Sequence, residues 1–277
     1  MSEKTRPTVE EYLANMGAAG KRICDIDASE AGAGNISICL DELPGVHDAF
    51  PIWERIELPL AVPALVGRTL LVTGSGRRLR QIGEDPLAAV GAVIIEPDGR
   101  HAALLTSPRR QFDRLTSEFN SHLAVHDDQV GARDVPFHAV VHAQPPHLTY
   151  LSHIPAYRDS RRMNAQIMRW EPESVVALPD GIGVLEFMVP GSADLMAANV
   201  AGLRGFEIVL WSKHGVMSRS DLSVTRAVDR IEYAETGAKY EYMDLVAGRP
   251  AEGLTNGEIA AVAGAFHVDS RWAVQPA

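Results

Sequence analysis

Apolar residues recur at helical spacing near the start of the chain, at Tyr12, Met16, Ala19 and Ile23. Thr8 precedes this run and is followed three residues later by Glu11, which is the pattern of a helix-capping box. We therefore expect a helix over residues 8–27, ended by the glycine-rich residues 31–35.

Short apolar runs rich in β-branched residues, each bounded by turn-forming residues, predict the strands. They occupy residues 36–40, 69–73, 90–96, 101–106, 137–142, 175–178 and 207–211. The turn Pro97-Asp98-Gly99-Arg100 joins the third and fourth runs and suits a hairpin. Residues 41–64 are rich in proline and charge, and we expect an irregular excursion there.

The remaining periodic segments predict helices over residues 118–126, 146–151, 161–169, 193–203 and 223–246, and a last short helix that ends at Phe266. No internal repeat, low-complexity tract or linker interrupts this order. The pattern therefore favours one α/β domain over residues 1–277, with mixed strand pairing that includes at least one hairpin.

Composition narrows the choice of partners. The net charge is −10 and the sequence pI is near 5.5, so nucleic acid and anionic membranes are disfavoured. The two cysteines, Cys24 and Cys39, lie in apolar surroundings without a C-x-x-C pattern, as expected of buried thiols in a reducing compartment. With no apolar run of 18 residues and no signal-peptide pattern, the sequence predicts a cytoplasmic protein.

The run over residues 137–142 ends in His142, and two prolines stop it shortly afterwards. The pattern indicates a buried strand that delivers an imidazole to its carboxyl end, where open α/β sheets keep their chemistry. His138 shares the face of His142 but stands roughly 13 Å away, too far to share one metal ion. Gln144 shares that face at about half the distance, so the two could chelate one ion. The alternative is a strand that merely ends in a structural histidine.

Three further side chains are candidates for chemistry. His214 again follows an apolar run, and its two interpretations are a metal ligand and a hydrogen-bonded structural group. Glu118 begins a predicted helix, and its interpretations are a general base or metal ligand on the one hand and a carboxylate that stabilises the helix dipole on the other. Glu171 has the pattern of an ordinary solvent-exposed acidic residue in a loop.

Four turns rich in glycine or hydroxyl groups flank the predicted strands, at residues 34–35, 73–76, 116–118 and 213–215. Such turns present backbone N–H groups and short hydroxyls, which are the groups that bind phosphate. Taken one at a time, each is more often simply a turn.

In order and spacing these turns, together with the strand through His142, resemble the class II aldolase/adducin family. The segments that carry the resemblance are Gly34-Asn35-Ile36-Ser37, Val72-Thr73-Gly74-Ser75-Gly76, Leu115-Thr116-Ser117-Glu118 and Leu210-Trp211-Ser212-Lys213-His214-Gly215. Residues 179–183 and 188–191 resemble the branch that acts on L-rhamnulose 1-phosphate, and the similarity covers about residues 12–242.

The resemblance implies a central mixed, largely antiparallel β-sheet flanked by helices, in a subunit that forms a homotetramer. It also implies a zinc-dependent retro-aldol cleavage of a ketose 1-phosphate to dihydroxyacetone phosphate and an aldehyde. His142 and His214 would hold the metal and Glu118 would move the proton. Glu171 would reach the active site of a neighbouring subunit. The phosphate pocket would be lined by Asn35, Ser75, Gly76, Thr116 and Ser117.

Two positions depart from the family pattern. The family has His-x-His at the strand end, whereas this chain has His142-Ala143-Gln144, and Gly32 replaces an expected asparagine. Because a neutral amide oxygen is a weak partner for zinc, three explanations stay open. The metal is weaker or different, another group such as Glu118 completes it, or the site has decayed. Substitution by His147 is disfavoured by the intervening prolines.

The sequence thus supports a metal-dependent aldolase as the first hypothesis. The alternatives are a different carbon–carbon lyase or decarboxylase, a dehydration, and a non-catalytic oligomeric binding protein that kept the fold.

Overall fold

A computed structural model describes residues 7–270 and Trp272. The helices are α1 (Val9–Asp25), α2 (Val46–Ala49), α3 (Leu79–Glu84), α4 (Pro86–Ala89), α5 (Phe119–Arg133), α6 (Pro146–Leu151), α7 (Ser160–Ile167), α8 (Pro172–Ala177), α9 (Ala193–Gly205), α10 (Val224–Ala247) and α11 (Asn256–Ala265). The strands are β1 (Asn35–Leu40), β2 (Ile52–Glu57), β3 (Thr69–Thr73), β4 (Val90–Ile95), β5 (His101–Thr106), β6 (Phe137–Ala143), β7 (Gly183–Leu185), β8 (Ile208–Trp211) and β9 (Gly215–Ser220). Short 3-10 turns cover Pro63–Leu65, Pro155–Tyr157 and Met168–Trp170.

The strands form one mixed sheet in the order β2-β5-β4-β3-β1-β6-β9-β8-β7. Every neighbouring pair in it is antiparallel except β7 and β8. The predicted fold class, a single α/β domain with a largely antiparallel mixed sheet flanked by helices, is confirmed. That the domain extends over all of residues 1–277 stays a prediction.

Helices cover both faces of the central strands. Ile36, Ile38 and Val141 belong to the main apolar core, which also contains residues of α1 and α10. On the opposite face, Cys39 and Val140 pack with residues of α5 and α9. Because side chains alternate along a strand, Asn35, Ser37, His138 and His142 share this second face.

The helix ends follow their sequence signals. Thr8 and Glu11 form the predicted capping box at the start of α1, and Thr255 and Glu258 form another at the start of α11. The Ser223 side chain caps α10. Within the described residues, no helix is both long enough and apolar enough to cross a membrane.

Two expectations were wrong. Residues 175–178 are not a strand, because Pro172 sits in the first turn of α8 and the apolar run continues that helix as its buried side. Residues 41–64 are not an irregular excursion throughout, because they contain β2, which pairs with β5 at the edge of the sheet. Five of the six side chains of β2 are exposed, so this edge strand lacks the apolar alternation that predicts strands.

The short strand β7 and the strand β9 were absent from our expectations, and α5 runs about two turns beyond its predicted end. The hairpin of β4 and β5 is confirmed.

Candidate active site

Antiparallel pairing brings the chemically interesting ends of several strands to one edge of the sheet. Asn35 at the start of β1 pairs with His142 near the end of β6. On the other side of β1, Ser37 pairs with Val72, so that the end of β3 also lies at this edge. The turn between β8 and β9 lies beside the end of β6, because Val216 pairs with Ala143. Residues far apart in sequence therefore meet in one place.

A cavity of about 210 Å³ opens at this edge. All four predicted turns line it, and so do the end of β6 and the residue that follows it. The structure brings the predicted residues together here: Asn35, Ser75, Gly76, Thr116, Ser117, Glu118, His142, Gln144 and His214. Arg77 and Pro190 also line the cavity and were not among the candidate site residues named from the sequence.

Three potential metal donors converge in the cavity. His142 Nε2 lies 3.6 Å from Glu118 Oε2, and His214 Nε2 lies 3.8 Å from Glu118 Oε1. The ligand atoms of the three residues all lie within 4.8 Å of one another. Nitrogen atoms bound to one tetrahedral zinc ion lie about 3.3–3.5 Å apart, so the spacing here is close to that of a metal site.

The ring of His142 is held in the orientation that a metal requires. Its Nδ1 donates a hydrogen bond of 2.8 Å to the carbonyl oxygen of Val216, which can only accept. In the neutral ring this leaves Nε2 with a free lone pair, directed at Glu118. The ring also stacks on the buried Trp211, with the ring centres 4.5 Å apart.

His214 is placed by the tight turn between β8 and β9. Lys213, just before it, has a left-handed backbone conformation with φ of 66°, which residues other than glycine rarely adopt. The Lys213 N–H donates to the Ser152 hydroxyl, and the His214 N–H donates to the carbonyl of Trp211. His214 Nδ1 is buried and has no hydrogen-bond partner within the described part of the chain.

Glu118 directly precedes α5, but its carboxylate does not cap that helix. It turns instead into the cavity, where Asn35 Nδ2 donates to its Oε2 at 2.9 Å. Burial alone would raise the pKa of this carboxyl. The nearby His142, the Asn35 hydrogen bond and the other histidines outweigh that effect and lower the pKa. The carboxylate is thus ionised at neutral pH.

This donor set fits a divalent cation. Both Glu118 oxygens face imidazole nitrogens, and in the neutral form of His142 one of those nitrogens presents its lone pair. A lone pair that faces a carboxylate at 3.6 Å is unfavourable unless a proton or a cation lies between them. Two imidazoles and one carboxylate are also a ligand set found in catalytic zinc sites.

Gln144 follows β6 and lines the same cavity. The side-chain amide of Gln144 is oriented so that its oxygen does not face other acceptors, and its Nε2 donates to the Glu30 carboxylate at 2.7 Å. Glu30 is thus the residue that orients the amide standing where the family has an imidazole. The sequence pattern gave no sign of this pair.

Two other residues named from the sequence lie elsewhere. Glu171 joins the 3-10 turn Met168–Trp170 to α8 and is not part of the cavity lining within this chain. Its Oε2 is buried without a partner among the described residues, and burial raises the pKa of its carboxyl. His147 donates from its backbone N–H to Glu235, and its ring contacts the same carboxylate at 2.5 Å. It is therefore engaged away from the candidate metal donors.

Comparison with known proteins gives the same picture. Residues 14–242 match the family model described as Class II Aldolase and Adducin N-terminal domain. The chain is 28% identical over 242 residues to a rhamnulose-1-phosphate aldolase of Escherichia fergusonii, covering 86% of this chain and 87% of that protein. A rhamnulose-1-phosphate aldolase of Escherichia coli strain SMS-3-5 is 29% identical over 213 residues, covering 76% and 77%.

Among solved structures, a sugar-phosphate aldolase from Thermotoga maritima superposes with a TM-score of 0.73 at 29% identity, covering 87% of this chain and 98% of that one. The family match spans most of the chain, and the relatives named here are aldolases. The chain therefore belongs to the class II aldolase and adducin family, as an aldolase-type lyase.

Proposed function

We propose that the protein is a divalent-metal-dependent aldolase that cleaves a ketose 1-phosphate, such as L-rhamnulose 1-phosphate, to dihydroxyacetone phosphate and an aldehyde. The observation that carries the proposal is the convergence of His142, His214 and Glu118 in one cavity with the phosphate-type turns. The two relatives from Escherichia described above are named rhamnulose-1-phosphate aldolases, which supports this class of substrate.

The phosphate end of the cavity is formed by Ser75, Gly76, Thr116 and Ser117, with Arg77 beside them. Gly76 has φ of 73°, and a Cβ built there meets nothing within 4 Å, so this backbone leaves open space. Backbone N–H groups and hydroxyls bind phosphate oxygens, and the Arg77 guanidinium supplies positive charge. Arg77 Nε is buried and has no partner within the described residues. Binding energy from the phosphate group of the substrate helps to position the reacting carbon–carbon bond, which lies elsewhere in the substrate.

His142, His214 and Glu118 are the residues that would hold the metal, most favourably zinc, with the Gln144 amide nearby. When bound, the ion supplies Lewis-acid polarisation of the substrate carbonyl. Three protein donors are the usual number at a catalytic zinc, which leaves room for substrate oxygens. We thus favour the explanation that Glu118 completes the donor set in place of the missing imidazole.

Glu118 also serves as the proton carrier. Its carboxylate takes the proton from the hydroxyl on the fourth carbon of the ketose as the bond between the third and fourth carbons breaks. The aldehyde forms at the fourth carbon, and the electron pair of the broken bond remains with the three-carbon phosphate fragment. Return of the proton to the third carbon gives dihydroxyacetone phosphate, so atoms and charge balance.

Glu171 is assigned to the active site of a neighbouring subunit in a homotetramer. Within the part of the chain that the structure describes, Glu171 Oε2 has no hydrogen-bond partner and Glu171 is not part of the cavity lining, which supports that assignment. A cytoplasmic location stays a prediction.

The test combines metal analysis with an assay for dihydroxyacetone phosphate release from a panel of ketose 1-phosphates. We expect about one divalent ion per subunit and zinc-dependent release from at least one substrate. The His142→Ala variant should lose both, while the control His153→Ala, at an exposed position, should keep both. Wild-type protein that binds less than about one ion per several subunits, and gains no activity from added metal, would contradict the proposal.

A further inference from the structure

A continuous file of buried polar side chains runs from Glu118 away from the cavity. Its members alternate between β1 and α5 and end on β6, in the order Glu118, Asn35, His122, Ser37, His126 and His138. The contacts along the file measure 2.9, 2.5, 2.6, 2.7 and 2.7 Å. Asn35 and Ser37 lie two residues apart on one face of β1, and His122 and His126 lie four apart on one face of α5, so the two elements interlock.

Every side chain of the file is buried, and beyond Asn35 each one has no solvent exposure. The rings are neutral. Burial, the neighbouring His126 and His142 together lower the pKa of His122 to about 3, although Glu118 opposes them. Burial lowers the pKa of His126 and of His138 well below the ordinary value. Each ring therefore carries one proton and offers one donor and one acceptor at neutral pH.

The Asn35 amide fixes the direction of the first bonds. Its Nδ2 donates to Glu118 Oε2, and its Oδ1, which can only accept, faces His122 Nε2. His122 must then carry its proton on Nε2 and accept on Nδ1.

The remaining bonds follow in the same sense. The Ser37 hydroxyl donates to His122 Nδ1 and accepts from His126 Nε2. His126 Nδ1 accepts from His138 Nδ1, and His138 Nε2 is left without a proton and without a partner among the described residues. All five hydrogen bonds thus point toward Glu118.

We propose that this file is a positioning device for the Glu118 carboxylate, in which His122, Ser37, His126 and His138 act through Asn35 to keep it directed at His142 and His214. The inference rests on the proposed function of Glu118. Aligned hydrogen bonds polarise one another, so the donor at the end of the file is stronger than an isolated amide.

The file orients Glu118 but does not conduct its proton. Imidazoles and hydroxyls pass protons along hydrogen bonds, whereas the Asn35 amide between Glu118 and His122 has no proton to release at neutral pH. The proton taken by Glu118 is therefore retained in the cavity, available for return to the three-carbon fragment. A file of apolar residues would pack the same space at lower desolvation cost, but it could not orient a carboxylate.

The first test needs no catalysis. Nitrogen-15 spectra of the imidazoles in the wild-type protein report which ring nitrogen carries the proton. We expect the Nε2–H form for His122 and His126 and the Nδ1–H form for His138. An Nδ1–H form at His122, or a charged ring anywhere in the file at neutral pH, overturns the proposal.

The second test breaks the file without altering the cavity lining. Loss of residues that orient metal-site groups commonly costs 10–100-fold in activity or metal affinity. Ser37→Ala should therefore lower kcat of the zinc-saturated enzyme by about tenfold, with KM within about twofold, and weaken zinc affinity about tenfold in chelator competition. Ser37→Thr keeps the hydroxyl and should restore most of the loss.

Ser174→Ala is the matched control, because Ser174 is fully buried and its hydroxyl has no partner among the described residues. It should match the wild type in kcat and zinc affinity. A Ser37→Ala variant that keeps wild-type kcat and zinc affinity removes the file from any functional role. If no ketose 1-phosphate is cleaved by the wild type, the proposed function fails, while the ring forms and the zinc affinities still decide the positioning role.

Discussion

Acidification is expected to destabilise the protein through the three buried histidines of the file, His122, His126 and His138. In the folded protein their pKa values lie far below the ordinary range because burial penalises the charged ring. In the unfolded chain each ring takes up a proton near pH 6.5. Below that pH the unfolded state binds more protons than the folded state, so the free energy of unfolding falls as the pH falls.

The magnitude follows from this difference in proton binding. Between about pH 7.5 and pH 5.5 a group with an unfolded pKa near 6.5 that stays neutral in the fold loses about 1.4 kcal/mol of stability. Three such groups together lose about 4 kcal/mol, which is a large share of the 5–15 kcal/mol typical of folded domains. The effect of Glu118 falls outside this window, because a lowered carboxyl pKa costs stability only below about pH 4.5.

Urea unfolding at a fixed protein concentration, repeated across this pH range, measures the loss. The His138→Gln variant removes one ring and should lose about 1.4 kcal/mol less than the wild type between the two pH values. Burial raises the pKa of Glu235, which acts in the opposite direction, but this contribution is common to both proteins and cancels in their difference. The exposed His153→Gln serves as the control. Equal pH dependence of wild type and His138→Gln would refute the argument.

Three further outcomes are expected at the site. Glu118→Gln should lower kcat by about 10²–10⁴-fold with little change in KM, measured by steady-state kinetics, and an unchanged kcat removes it as the proton carrier. Gln144→His should raise zinc affinity on the order of tenfold in chelator competition, and no change would mean that position 144 does not face the metal. A Cβ at Gly215 lies 2.4 Å from a β6 carbonyl oxygen, so Gly215→Ala should cost about 1–3 kcal/mol in urea unfolding. Gly205→Ala, with open space around it, should cost less, and equal losses would contradict the clash.

Much of the fold could be predicted because its signals are local. The capping box of Thr8 and Glu11 marks the start of α1, and the turn at residues 97–100 marks the hairpin of β4 and β5. The edge strand β2 could not be predicted, because its side chains are exposed and show no apolar alternation. Its backbone pairing with β5, which the sequence pattern does not reveal, makes it a strand. The apolar run at residues 175–178 has strand composition, but the helix that begins at Pro172 decides its conformation.

The donors of the candidate site could also be predicted, as histidines at strand ends and an acid before a helix. Their supports could not. Ser37 and His126 look like ordinary core positions until the register of β1 against β6 and the packing of α5 bring them together. The four-residue spacing of His122 and His126 was the one signal that could have pointed to a polar face on α5. Arg77 had a signal as well, since it directly follows the turn that ends in Gly76.

The replacement of an expected imidazole by Gln144 is compatible with a working metal site because the donors come from three separate elements. His142 lies near the end of β6, His214 lies between β8 and β9, and Glu118 precedes α5. The pairing of Asn35 with His142 fixes the amide that holds Glu118 beside the imidazoles. None of these contacts involves position 144. A change there therefore alters how tightly a metal is held, and it leaves the cavity, the turns and the hydrogen-bonded file in place.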